Sequence, residues 1–107
     1  MQISAEDIIM NLVTNGGDAR SKAIEAIREA RAGNFAEADR LMSESRESSN
    51  AAHRFQTLLM QTEMDESHPQ KVEVSLLMAH GQDHLMNALT VQDLAIEVIE
   101  ILRERSR

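Results

Sequence analysis

Beyond Pro69 the chain runs to its C-terminus with no helix breaker except Gly81, and its apolar residues there fall on two lines instead of one. The spacing predicts a helix from about Lys71 to Arg105, about 50 Å long at 1.5 Å per residue. At 100° per residue, one stripe holds Val74, Leu77, Met78, Gly81, Leu85, Ala88, Ala95, Ile96, Ile99 and Leu102. Nearly opposite runs a second: Val72, Leu76, Ala79, Met86, Leu94, Val98 and Ile101. Ser75, Gln82, Asp93, Glu100 and Glu104 form the polar side between them, and Arg103, Arg105 and Arg107 close the helix where the dipole favours cations. A helix apolar on two sides is sandwiched. Neighbours from the same chain can cover one stripe; the second needs a partner, and the simplest is another copy of the chain.

The remainder supplies the intrachain neighbours. One Pro and four Gly punctuate 107 residues rich in good helix formers, and no segment alternates with period two. The expected fold is all-α, a single domain over residues 1–107 built as an antiparallel three-helix bundle. The first helix opens at Ser4, which can cap with Asp7 while Ile3 and Ile8 form a hydrophobic staple. It ends at Gly33, a natural left-handed stop. Asn15-Gly16-Gly17 inside it is either a break or a weak turn where another backbone comes close. Ala19, Ala23, Ala26, Ile27 and Ala30 make a narrow face suited to close packing. The second helix starts at Asn34, a good cap with Glu37 three residues on. Its buried side is Ala38, Leu41, Ser45, Ala52, Phe55, Leu59 and Met60, up to about Met64, around a polar middle at 43–50. Residues 65–70 read as the most mobile loop. With two Phe, no Trp and no Tyr, the core is thin and its seven Met read as gap-fillers, which again points to association.

Composition removes several functions. No Cys means no disulfide, thiolate metal site or cysteine nucleophile. A formal net charge of −7 opposes binding to phosphate backbones and anionic membranes, and the scarcity of aromatics argues against base stacking, so nucleic acid is not an expected partner. No apolar run is long enough to span a membrane, and no basic-then-apolar segment opens the chain. A soluble cytoplasmic protein is expected.

Chemistry concentrates on the third helix. Asp83 sits in the middle of the second stripe, where a lone carboxylate is costly unless it is paired or binds a cation. Copies meeting around a symmetry axis would need a metal, shared protons or water; the alternative is a plain surface carboxylate. His80 lies on the seam between the stripes, with Leu76, Leu77, Asp83, His84 and Asn87 as helical neighbours. Imidazole is substantially neutral at cytoplasmic pH and its nitrogen can act as a nucleophile; the alternative is an interfacial His making one hydrogen bond. His80 and His84 are also four residues apart, a spacing that can bind zinc with a carboxylate, although Gly81 stands where the catalytic zinc signature has Glu. His53 could approach the site or stay on the surface, and His68 before Pro69 is expected in solvent. Gly16-Gly17 is not a phosphate loop, since no Gly-Lys-Ser/Thr follows.

The stretch Ser75-Leu76-Leu77-Met78-Ala79-His80-Gly81-Gln82-Asp83-His84-Leu85-Met86 closely resembles the signature of the lactose/cellobiose-type enzyme IIA proteins of the bacterial phosphoenolpyruvate-dependent sugar phosphotransferase system. Gly17-Asp18-Ala19-Arg20-Ser21, Gly33-Asn34-Phe35-Ala36-Glu37-Ala38, Ala52-His53 and Gln56-Thr57 resemble further family segments, so the likeness spans nearly all of 3–105. It implies a three-helix unit in a homotrimer. It also implies His80 as the residue phosphorylated on Nε2, and Asp83 as the aspartate meeting its two copies around an axial cation, usually magnesium. Gly81 departs from the Ala more usual in the family.

By the same resemblance the phosphoryl group arrives from the phosphocarrier HPr and leaves to a cysteine of the cognate enzyme IIB, which serves a membrane permease for a β-linked disaccharide. Such transfer needs positioning and charge screening more than acid–base work. Leu76, Leu77 and Met78 are the expected docking surround, and Gln82, His84 and Asn87 the candidates to hold the imidazole or the phosphoryl oxygens. Two other readings stand beside this one: a non-enzymatic oligomeric helical adaptor, and a helix-borne zinc protein.

Overall fold

The computed structural model describes residues 4–65, 67 and 75–106. Three helices account for nearly all of them: α1 (Ala5–Arg31), α2 (Phe35–Met64) and α3 (Leu76–Arg105), with no strand among the described residues. They form a rod of 57 × 23 × 19 Å. Helix α1 lies in the middle and packs equally on α2 and α3, which touch each other far less. Its alanines explain this: Ala19, Ala23, Ala26 and Ala30 are buried on a face without bulk, so both neighbours can come close.

The punctuation works largely as the residue chemistry requires. Ser4 is extended and its hydroxyl accepts the Asp7 N–H at 3.1 Å. Ile3 lies outside the described residues, so the staple with Ile8 does too. Helix α1 ends at Gly33, whose φ of +89° only glycine adopts without strain. The Asn34 N–H reaches the Glu29 carbonyl at 2.8 Å and the Gly33 N–H the Ala30 carbonyl at 3.0 Å, a Schellman closure. Asn34 starts α2, but its side chain makes no cap hydrogen bond; Nδ2 donates back to Glu29 at 2.8 Å. Glu37 likewise turns to Arg40, whose hydrogen bonds hold the Glu37 carboxyl below its usual titration range.

The start of the third helix differs from the sequence expectation. Ser75 is extended and its hydroxyl accepts the Met78 N–H at 3.1 Å, so α3 begins at Leu76 instead of Lys71. Val72 and Val74, which the expected helix included, lie outside the described residues, as do His68, Pro69 and most of the expected mobile loop. At the other end Arg103 bridges to Asp39 of α2 at 2.7 Å and stacks 5.0 Å from the Phe35 ring centre, clamping the two helices.

Two apolar clusters sit at the ends of the rod. One gathers Ile8, Leu12, Ala52, Leu59, Met78 and Leu85; the other Ala26, Ala30, Ala38, Leu41 and Ile99. A polar waist separates them. Gln92 Nε2 donates to the Ser45 carbonyl at 3.0 Å, the Ser45 hydroxyl at 2.9 Å and the Ser49 hydroxyl at 3.0 Å, and the Ser45 hydroxyl donates to the Ala19 carbonyl at 2.6 Å. No buried side-chain N or O among the described residues lacks a partner, so Ser45 and Ser49, the buried part of the polar middle of α2, are satisfied core residues. Met60, expected inside, is exposed, as are Met10, Met64 and Met86. Gap-filling describes Met78 and Met42 but not these four. No described helix is long and apolar enough to cross a membrane.

Candidate functional site

The site grows from a glycine on the neighbouring helix. A Cβ on Gly16 would lie 3.0 Å from the His84 carbonyl carbon and from the Leu85 nitrogen. Asn15-Gly16-Gly17 is therefore no break: α1 is continuous there, and Gly16 lets its backbone approach that of α3. Beside this contact opens a groove of about 670 Å³. Helix α1 contributes Gly17, Arg20 and Ser21; α3 contributes His80, Asp83, His84, Asn87 and Val91.

His80 stands on the exposed rim of this groove. Its Nε2 is 3.1 Å from His84 Nε2, and the rings meet edge to face at 79° with centres 4.7 Å apart. Helical spacing dictates the pairing, since residues four apart stack on one face. One nitrogen must carry the hydrogen and the other accept it. When His84 Nε2–H donates, His80 bears its proton on Nδ1 and presents a basic Nε2.

The remaining sequence candidates divide. His84 and Asn87 line the groove with His80, and Asp83 shares it while standing exposed and without an ion pair among the described residues. Gln82 lies elsewhere: its Oε1 accepts from Gln56 Nε2 of α2 at 2.7 Å, on the far side of α3 from His80 within one chain. His53 is exposed on α2, 3.1 Å from Gln56 Oε1, and does not line the groove. Leu76 and Leu77 are open to solvent beside His80, but Met78 is 3% exposed and belongs to the core, not to a docking surround.

Arg20 and Ser21 were not singled out for chemistry from sequence. They face the histidines because α1 passes so close at Gly16, and the glycine pair was the signal that could have led there. Arg20 makes no ion pair among the described residues, so its guanidinium is available to an anion in the groove. A nucleophilic imidazole beside an uncommitted cation and polar side chains is an arrangement that can receive a phosphoryl group and balance its charge.

No three His, Asp or Glu side chains converge among the described residues. The alternative of a zinc chelate by His80, His84 and a carboxylate thus finds no third ligand among the described residues of one chain, and Asp83 offers a cation one carboxylate only.

The family model described as PTS system, Lactose/Cellobiose specific IIA subunit, matches residues 7–103. The lichenan-specific phosphotransferase enzyme IIA component of Bacillus subtilis (strain 168) is 44% identical over 101 residues, covering 94% of this chain and 89% of that protein. The N,N'-diacetylchitobiose-specific EIIA component of Escherichia coli (strain K12) is 41% identical over 96 residues, covering 90% and 80%. The crystal structure of the cellobiose-specific enzyme IIA from Bacillus anthracis superposes with a TM-score of 0.89 at 45% identity, covering 99% of this chain and 94% of that one. The enzyme IIA of a solution IIA(Chitobiose)–HPr complex superposes with a TM-score of 0.82 at 34% identity, covering 99% and 100%.

Proposed function

The chain belongs to the lactose/cellobiose-specific enzyme IIA family of the phosphotransferase system, and from that premise we propose that His80 carries the phosphoryl group between HPr and the cognate enzyme IIB. The observation that carries this reading is the position of His80: an exposed imidazole on the rim of an open groove that also holds Arg20. Two proteins must reach the same atom in turn, which a ridge permits and a deep pocket does not.

In the first step His80 Nε2 attacks phosphorus in line, the N–P bond of the donor phosphohistidine breaks, and its electron pair returns to the donor ring. In the second, the cysteine thiolate of enzyme IIB attacks and His80 recovers its lone pair. Arg20 and the Ser21 hydroxyl offset the charge on the equatorial oxygens. His84 Nε2–H, freed from His80 when that nitrogen is phosphorylated, turns to a phosphoryl oxygen, with Asn87 as a further donor. Gln82 is better suited to a contact across a subunit boundary than to one within its own chain. The sugar class is the β-linked disaccharides, a reading that relatives named for N,N'-diacetylchitobiose and cellobiose support, and the setting is the cytoplasmic side of a membrane permease.

The assembly is a homotrimer. Leu76, Met86, Leu94, Val98 and Ile101 form an uncovered line along α3, with Asp83 within it, and a copy of the chain is the partner that covers it. Three Asp83 carboxylates around the axis would hold a hard cation such as magnesium, which removes their mutual repulsion.

The test is phosphorylation with phosphoenolpyruvate, the system's first enzyme and HPr. One acid-labile phosphoryl group per chain is expected, on Nε2 by phosphorus NMR, and none on His80→Ala; uptake by that variant overturns the assignment. Light scattering is expected to give three times the chain mass, and Asp83→Asn to remove any dependence of that mass on magnesium.

A further inference from the structure

We propose that His80 and His84 together form a two-nitrogen site for zinc, and that zinc bound there excludes the phosphoryl group. The site differs from the three-ligand chelate that the chain does not form: it takes two protein ligands and completes its sphere with water, so it is labile and suited to inhibition, not to holding the fold. The binding itself does not depend on the phosphotransfer reading; only the exclusion does.

The two nitrogens already stand at chelating distance. Zinc binds imidazole nitrogen at ~2.05 Å, and two donors at that distance lie about 3.3 Å apart when the angle at the metal is tetrahedral. The two Nε2 atoms stand 3.1 Å apart, which corresponds to an angle of about 98° at such bond lengths. The shared hydrogen now lies between the two nitrogens, so both rings turn by about 40° to aim their lone pairs at one metal, a rotation that their position at the open groove permits. Both residues sit on consecutive turns of one continuous helix, so little backbone order must be gained on binding. The hydrogen now shared between the Nε2 atoms moves to the Nδ1 of the ring that carries it. Both rings stay neutral, both Nε2 lone pairs bind the metal, and no net proton is released.

The surroundings admit the ion. The groove is open to solvent, so water can fill the remaining positions. Asp83 favours a cation there and Arg20 opposes one, and the chain as a whole carries a formal charge of −7. Exclusion follows from the lone pair: His80 Nε2 cannot bind zinc and attack phosphorus at the same time.

The experiment is zinc titration of the intact protein by calorimetry and by nitrogen NMR of the imidazoles. One zinc per chain is expected, with the Nε2 signals of both His80 and His84 shifting. His84→Gln is expected to weaken binding at least about tenfold, as losing a ligand exceeds losing its support. Asp83→Asn, which removes the neighbouring carboxylate and any axial site, leaves both Nε2 shifts in place. Unshifted Nε2 signals, or binding lost in Asp83→Asn but kept in His84→Gln, overturns the proposal. In the phosphorylation assay, saturating zinc is expected to slow labelling of the native chain at least about tenfold more than that of His84→Gln; equal slowing overturns the exclusion. Failure of any labelling would count against the phosphotransfer reading and leave the titration to decide the site.

Discussion

Leu85 and Leu94 are the same residue on the same helix, yet one is fully buried and the other is 61% exposed. Their intrinsic hydrophobicity cannot separate them. What differs is the neighbour: α1 runs along the Leu85 side, and no helix of this chain runs along the other. The alanine face of α1 draws α2 and α3 onto α1 itself, which leaves α3 with one full companion and a lesser contact with α2 where its pattern asks for more. The uncovered side of α3 is thus a consequence of how well α1 packs, and the proposed assembly would follow from the chain's interior as much as from its surface.

The sharpest way to break this comparison is to weaken both sides. Leu85→Ala should cost about 2–5 kcal/mol, the range for a fully buried leucine in a close-packed core, seen as an earlier urea midpoint. Leu94→Lys should leave the fold of the single chain in place, with helical circular dichroism preserved, and lower the mass in light scattering. A Leu94→Lys protein that keeps the trimer mass would show that α3 does not use that face for assembly.

The next effect contrasts adjacent glycines. An added methyl at Gly16 meets the backbone of His84 and Leu85 at 3.0 Å, whereas at Gly17 nothing lies within 4 Å. Alanine gains up to about 1 kcal/mol over glycine inside a helix. At Gly17 that gain should appear in full in thermal unfolding. At Gly16 overpacking should outweigh it and leave a net loss of about 1–2 kcal/mol, since α1 and α3 must move apart. The same displacement carries Arg20 and Ser21 away from His80, so Gly16→Ala should also slow phosphorylation. A Gly16→Ala protein as stable as Gly17→Ala would mean that the helices are not held as close as 3.0 Å implies.

These contrasts show what was readable in the residues and what was not. Caps at Ser4 and Gly33 depend on local chemistry, and both stand where that chemistry puts them. Ser75 is an equally strong cap, but apolar spacing at Val72 and Val74 ran through it and hid the helix start. Asn34 occupies a cap position without capping, because Glu29 offers its amide a charged acceptor nearby. The histidine pair was visible because both members lie on one helix. Arg20 was not, since its role depends on the depth at which two helices meet, and periodicity records the direction of a side chain but not the distance between axes. Gln92 failed to register as core for the same reason: only the arrival of Ser45 and Ser49 from α2 gives it partners. A cation at Asp83, as proposed, would be a property of several chains; the stripe pattern of one chain left it open among a metal, shared protons and water, and the resemblance alone pointed to magnesium.

Gly81 provides the smallest effect and the finest grading of the contact between α1 and α3. A methyl there would stand 3.3 Å from Leu12 Cβ, 3.5 Å from its Cδ1 and 3.6 Å from the Ile9 carbonyl oxygen, against 3.0 Å to the His84 and Leu85 backbone at Gly16. Leu12 Cβ moves only with its helix, but the adjustment asked of it is smaller than the one Gly16 demands. The propensity gain of up to about 1 kcal/mol and the crowding of a fully buried leucine then nearly cancel, and Gly81→Ala should change stability by no more than about 0.5 kcal/mol. Because Gly81 points into the core and His80 out of it, the phosphorylation rate should also hold. A loss approaching that of Gly16→Ala would show that α1 cannot shift even by that little, and that its tight packing on α3 extends from Gly16 to the turn that carries His80.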